Sequence, residues 1–250
     1  MRLTFILAIS LALPSAAVAQ MDYIGVHAQS MQTGEMYKKM FRRRDNQIAA
    51  STRTAQQPQL KSSYAAAGGA LLSPPNPGAA AIDLRYRSTP ELRKSAADAY
   101  VQRVMQSDPQ AGKLIAAEVS KNNFSRIYAG IVAPFGYRAD DTADAVAAYT
   151  LLGWLIATGS PDPSPAAARA VREQVAQGLS NDPKFTNPRT RAELAEEMKL
   201  LFVTLHAGWQ SARKEGNLRT YADGVAAMFK RFTGNDLRAM RLTERGFVGR

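Results

Sequence analysis

Cysteine is absent from all 250 residues. That excludes a disulfide framework, a zinc–thiolate site, a cysteine nucleophile and a lipidated N-terminus of the bacterial lipoprotein kind. Histidine is scarce, with only His27 and His206, so a histidine-rich metal centre is excluded as well. A serine hydrolase would need His206 as its base, yet no G-x-S-x-G elbow accompanies it. Gly68-Gly69 has no strand pattern before it and no helix start after it, so it is not a phosphate loop. Coiled-coil seams and internal repeats are also missing, and strand-like alternation is confined to Ile82–Tyr86. No cofactor and no metal are expected.

What is present centres on Asp140–Gly159, DDTADAVAAYTLLGWLIATG. Between Ala145 and Ala157 only Thr150 is clearly polar. Asp140, Asp141 and Asp144 open the run, as suits the positive end of a helix dipole, and Asp141 with Asp144 has capping-box spacing. Gly159, Pro161 and Pro163 stop it. A helix over 141–158, apolar around its circumference, must be surrounded, and it is short of the ~20 apolar residues that span a bilayer.

Met1–Gln20 has the pattern of a secretory signal peptide: Arg2, an apolar run from Leu3 to Leu13, and Ala17-Val18-Ala19 ahead of a cleavage site after Ala19. The competing reading is an N-terminal membrane anchor, which the short apolar run disfavours. The expected compartment is therefore periplasmic or secreted. The formal net charge is +11, and it is uneven: residues 20–87 hold nine Lys/Arg against four Asp/Glu, residues 88–250 hold 22 against 17. A basic exported chain suits an envelope protein or an anionic envelope surface as partner, whereas nucleic acid is not expected.

Residues 20–87 read as a basic, Pro/Ser/Gly/Gln-rich arm and linker. Lys38, Lys39, Arg42, Arg43 and Arg44 end a loosely amphipathic segment and are the candidate contacts to an anionic surface. The alternative is a solvated arm whose charge keeps the chain soluble. Gln47–Gly69 and the run SPPNPG at 73–78 lack any periodic apolar pattern, so the domain boundary is set just after Tyr86-Arg87.

From Ser88 to Arg250 the pattern is helical. Ser88-Thr89-Pro90-Glu91 starts a first helix, Asp108-Pro109 a second, and Phe124, Ile127, Tyr128 and Ile131 mark a short third. After the central helix, Ser164-Pro165 starts a fifth. The sixth opens at Asn187-Pro188 or at Thr190–Glu193 and carries Leu194, Met198, Leu201, Leu205, Trp209 and Ala212. Leu218, Tyr221, Val225, Met228, Phe229 and Phe232 form the seventh stripe, and Leu237–Arg250 reads as a tail anchored by Leu242 and Phe247. The expected fold is all-α: about seven helices around the helix at 141–158. Trp154 is expected to be buried against the sixth and seventh stripes.

With Ala143-Asp144-Ala145, Tyr149, Trp154, Val171-Arg172, Gly234-Asn-Asp236, Leu242-Thr243 and Gly246-Phe247 in view, roughly residues 88–247 resemble a family of exported bacterial all-helical proteins, a domain of unknown function. The resemblance implies an exported helical protein and carries over no catalytic residue.

Three places could hold chemistry. Glu118, late in the second helix, is the weak catalytic candidate. It is similar in position to the lone acid of lysozyme-like peptidoglycan-cleaving enzymes, which protonates the glycosidic oxygen, but Val119 follows it and the downstream Gly-Leu-Met-Gln run is missing. The three aspartates at 140, 141 and 144 lack calcium-loop spacing and read as capping groups. His206 reads as a boundary histidine beside Trp209. The expected function is a non-catalytic binding or interaction module of the cell envelope, with a cell-wall glycan hydrolase using Glu118 as the alternative.

Overall fold

Residues 82–249 are described by the computed structural model. The expected signal peptide, His27, the basic cluster Lys38–Arg44 and the linker lie outside the described residues. Seven α-helices follow one another: α1 (Pro90–Ser107), α2 (Pro109–Lys121), α3 (Phe124–Val132), α4 (Thr142–Thr158), α5 (Pro165–Ser180), α6 (Pro188–Lys214) and α7 (Leu218–Thr233). A small antiparallel hairpin, β1 (Met240–Thr243) with β2 (Gly246–Gly249), closes the chain. The all-α expectation holds, with this hairpin as its one addition among the described residues.

Helix starts follow the capping chemistry. Thr89, Asp108, Asn123, Asp141, Ser164 and Asn187 each accept a first-turn backbone N–H with a side-chain oxygen. Asn187 opens α6 by accepting from Arg189 and Thr190 N–H, which decides between the two candidate starts. Glu193 is then free to pair with Arg189 one turn earlier.

Every residue of α4 from Thr142 to Ala157 is buried. It packs most extensively on α6, then on α5 and α7. Close approach depends on two glycines. A Cβ on Gly153 would meet the Phe229 ring of α7 at 2.4 Å, and one on Gly208 of α6 would meet the Tyr221 hydroxyl at 2.3 Å. The space left open lets Phe229 stack on Tyr149 with centroids 5.0 Å apart, and lets Tyr221 donate to Leu205 O at 2.9 Å. Small residues in α4 and α6 thus set how near α7 can come.

Two findings add to the expected packing. Trp154 is buried, as expected, and the hairpin helps to cover it: its indole Nε1 donates to Met240 O at 3.2 Å and its ring meets Phe247 edge-on at 5.7 Å. The residues read as a tail thus share in covering the indole. Their strand character was hard to read because each strand is four residues long and the connecting Glu244-Arg245 is not a favoured hairpin pair.

The alternating residues Ile82–Tyr86 form an extended piece against the helical domain, as their pattern implied. Residues 82–87 run extended across the start of α4: Thr142 N donates to Leu84 O (2.9 Å) and Tyr86 N to Asp140 O (2.9 Å). Leu84 is buried in the core. This strap packs against the helical domain that follows it.

Candidate functional site

The chemistry-bearing side chains gather along a seam formed by the strap, the loop at 138–142 and one face of α6. Its floor is an i,i+3 pair on α6, Glu196 and Lys199, both with fully buried side chains. Lys199 Nζ donates to Glu196 Oε1 (2.9 Å), Ser125 Oγ at the start of α3 (3.0 Å) and Ala139 O (3.1 Å). Glu196 Oε1 also accepts from the Tyr86 hydroxyl (3.0 Å) and from Ser88 Oγ, which in turn accepts from Arg93. One carboxylate oxygen therefore collects the strap, α1 and α6.

Burial holds Lys199 below the ordinary lysine range, with the Glu196 charge opposing. Burial, then the Glu196 charge, pushes the Tyr86 phenol up, so it stays a neutral donor. A lysine beside a serine hydroxyl is the raw material of a Ser–Lys nucleophile. Here, though, the three N–H groups of an ammonium have three oxygen acceptors, one of them a carboxylate. This is the geometry of a charged tie rather than of a general base, which must shed a proton.

The second cluster caps α4. Asp141 Oδ1 accepts from Asp144 N, and Asp144 Oδ2 accepts from Arg138 N at 2.9 Å. Arg172 reaches over from α5 to both carboxylates, 3.0 Å from Asp141 Oδ2 and 3.3 Å from Asp144 Oδ1. Burial and then the Asp141 charge push Asp144 up to about 6, with the Arg138 amide and Arg172 opposing. Asp140 stands apart, paired at the surface with Arg138, which holds its carboxyl below the usual range. The three aspartates therefore split into a buried pair, Asp141 and Asp144, on Arg172 and a single more exposed one, Asp140, on Arg138. Capping accounts for Asp141, as the spacing implied. Among the described residues no group of three or more His, Cys, Asp and Glu is arranged to hold a metal ion.

His206 is buried on α6, stacked near Phe202 (6.3 Å) and edge-on to Trp209 (6.0 Å). Burial, then the Arg213 charge, lowers its pKa to about 4, so it is a neutral core imidazole. Glu118 lies half-buried near the end of α2, where Oε2 accepts from Asn122 Nδ2 at 3.2 Å. Its backbone carbonyl accepts from both nitrogens of Asn122, so the residue takes part in ending its own helix.

Glu196 and Lys199 escape a reading that follows only the strongest stripe of α6. A second stripe runs one position later: Ala192, Ala195, Lys199, Phe202 and His206, with steps of three and four, and all five are buried. A lysine inside such a stripe is the available signal, because an unpaired charge is rarely buried.

No family model, no curated protein and no solved structure matches this chain.

Proposed function

We propose that this chain is an exported binding or interaction module of the bacterial cell envelope, periplasmic or secreted, acting without catalysis, and akin to the exported all-helical family that residues 88–247 resemble. The observation that carries this reading is how the buried ionisable groups are used. Glu196, Lys199, Asp141 and Asp144, together with the half-buried Arg172, each bond to partners from two or more segments, which suits groups that hold elements together. The leader-like Met1–Gln20 and the basic run Lys38–Arg44 supply the address and the surface for contact. No helix among the described residues is long and apolar enough to cross a membrane, which suits contact from outside a bilayer.

The test pairs two assays on the purified full chain. Co-sedimentation with anionic vesicles is expected to fall with salt and to be lost when Lys38, Lys39, Arg42, Arg43 and Arg44 are made neutral. Binding unaffected by those five changes removes the anionic-surface contact. Incubation with peptidoglycan is expected to release nothing. Release of muropeptides that disappears in Glu118→Gln overturns the non-catalytic reading in favour of the glycan hydrolase.

A further inference from the structure

The strap is held as a short peptide is held by a receptor. Leu84 fills an apolar site in the core, and its carbonyl accepts Thr142 N–H. Tyr86 gives its N–H to Asp140 O and its hydroxyl to Glu196. Ser88 adds its hydroxyl to the same carboxylate. Arg85 and Arg87, the alternate residues, are exposed. This is the alternation of β-augmentation: backbone bonds for affinity, every second side chain for specificity.

What lies beneath is equally telling. Were the strap to leave, Lys199 would keep Glu196, Ser125 and Ala139, and water could solvate the rest of the pair. The Leu84 site is apolar, but the charged part of the floor is not a surface that must stay dry. The strap joins the body at Thr89, whose backbone is extended and whose hydroxyl caps α1, so the strap lies outside the hydrogen bonds of that helix.

We propose that residues 82–88 are a peptide ligand bound in cis to a groove of the helical body, and that the groove also takes the same segment from a second copy of the chain. Strap exchange of this kind links two copies, carries the 81 residues before Ile82 from one body to the other, and needs no surface beyond the one already filled. It goes beyond the envelope-binding reading and does not depend on it.

The probe is a fluorescent peptide with the sequence of residues 82–88, IDLRYRS. It is titrated against the full chain and against the full chain carrying Leu84→Ala and Tyr86→Phe. Cis occupancy hides the groove in the unaltered chain, so binding is expected to be about tenfold or more tighter to the double variant. The same peptide with its own leucine and tyrosine changed is expected not to bind. No binding to a double variant that still unfolds cooperatively overturns the proposal. Native-state hydrogen exchange on the unaltered chain decides the matter if the variant does not fold. The Tyr86 and Thr142 amides should open with little denaturant dependence, ahead of the α4 interior. Exchange of both only through global unfolding overturns it too.

Discussion

The two ends of the described chain each close over the central helix, and they do so by opposite physics. The N-terminal strap crosses the start of α4 and rests on a carboxylate and an ammonium. The C-terminal hairpin lies near the other end of α4 and rests on an indole and a phenylalanine ring. Side-chain bonds tie the hairpin down from outside. Gln174 of α5 accepts Phe247 N–H at 2.7 Å and donates to Phe247 O at 2.8 Å, and Arg238 donates to Ala157 O at 2.8 Å. Lifting the hairpin uncovers apolar surface, which water penalises in proportion to its area. Lifting the strap uncovers the Glu196–Lys199 pair, which water solvates, together with the apolar site of Leu84. The difference teaches that the strap covers a mixed surface where the hairpin covers an apolar one, so the two ends resist lifting unequally.

The largest expected effect is on the apolar side. Trp154→Ala removes the indole under the hairpin and should cost about 3–5 kcal/mol, read as a drop in denaturant midpoint. A harmless substitution would mean that the hairpin does not need the indole, and the contrast between the two ends would collapse.

On the polar side, Lys199→Met strands Glu196 in the core and should cost about 3 kcal/mol or more. Changing Glu196→Gln in the same chain should recover much of that loss, because the cost lies in the unpaired charge and not in missing volume. Equal losses in the single and double variants would show that the pair acts by shape alone.

Acid separates two further buried groups. His206 is held near 4 against an ordinary 6.5, so the unfolded chain takes up its proton first as pH falls. Its contribution is full above 6.5, declines towards 4, and amounts to about 3 kcal/mol at most. Asp144 runs the other way: raised from 3.8 to about 6, it favours the folded state as pH falls through that window. The stability lost between pH 7 and pH 4.5 should therefore shrink in His206→Met and grow in Asp144→Asn, by denaturant titration at both values. Identical losses in the three chains would sink both assignments.

Smaller still, Tyr86→Phe removes one hydroxyl bond to Glu196 and should cost about 1 kcal/mol. The smallest effect is at the surface: Asp140→Ala breaks an exposed pair with Arg138 and should cost about 0.5 kcal/mol or less, near the limit of a thermal melt. A large effect there would mean that the strap is held by that side chain rather than by the Asp140 carbonyl.

Much of the helical plan was legible because its signals are local. Capping residues, prolines in first turns and apolar steps of three and four act within a few residues, and they located the helices from α1 to α7. The site was less legible. Asp141 could be read as a cap from its spacing to Asp144, but Arg172 joins that pair from α5, 31 positions away. Glu196 and Lys199 lie off the main apolar stripe of α6, and nothing near them in the chain says that Tyr86 and Ser88 arrive from 110 and 108 positions earlier.

The sequence by itself determined the all-α class and the surrounded central helix, because periodicity and capping are short-range and a helix without a polar side has only one kind of environment. Tertiary structure alone decided which segments do the surrounding. The hairpin came to lie against Trp154 and the strap over the charged floor of α6, since covering a surface depends on shape and solvation across the whole chain. The alternation at Ile82–Tyr86 marks an extended piece but not its partner, and the four-residue strands of the hairpin are too short to mark themselves.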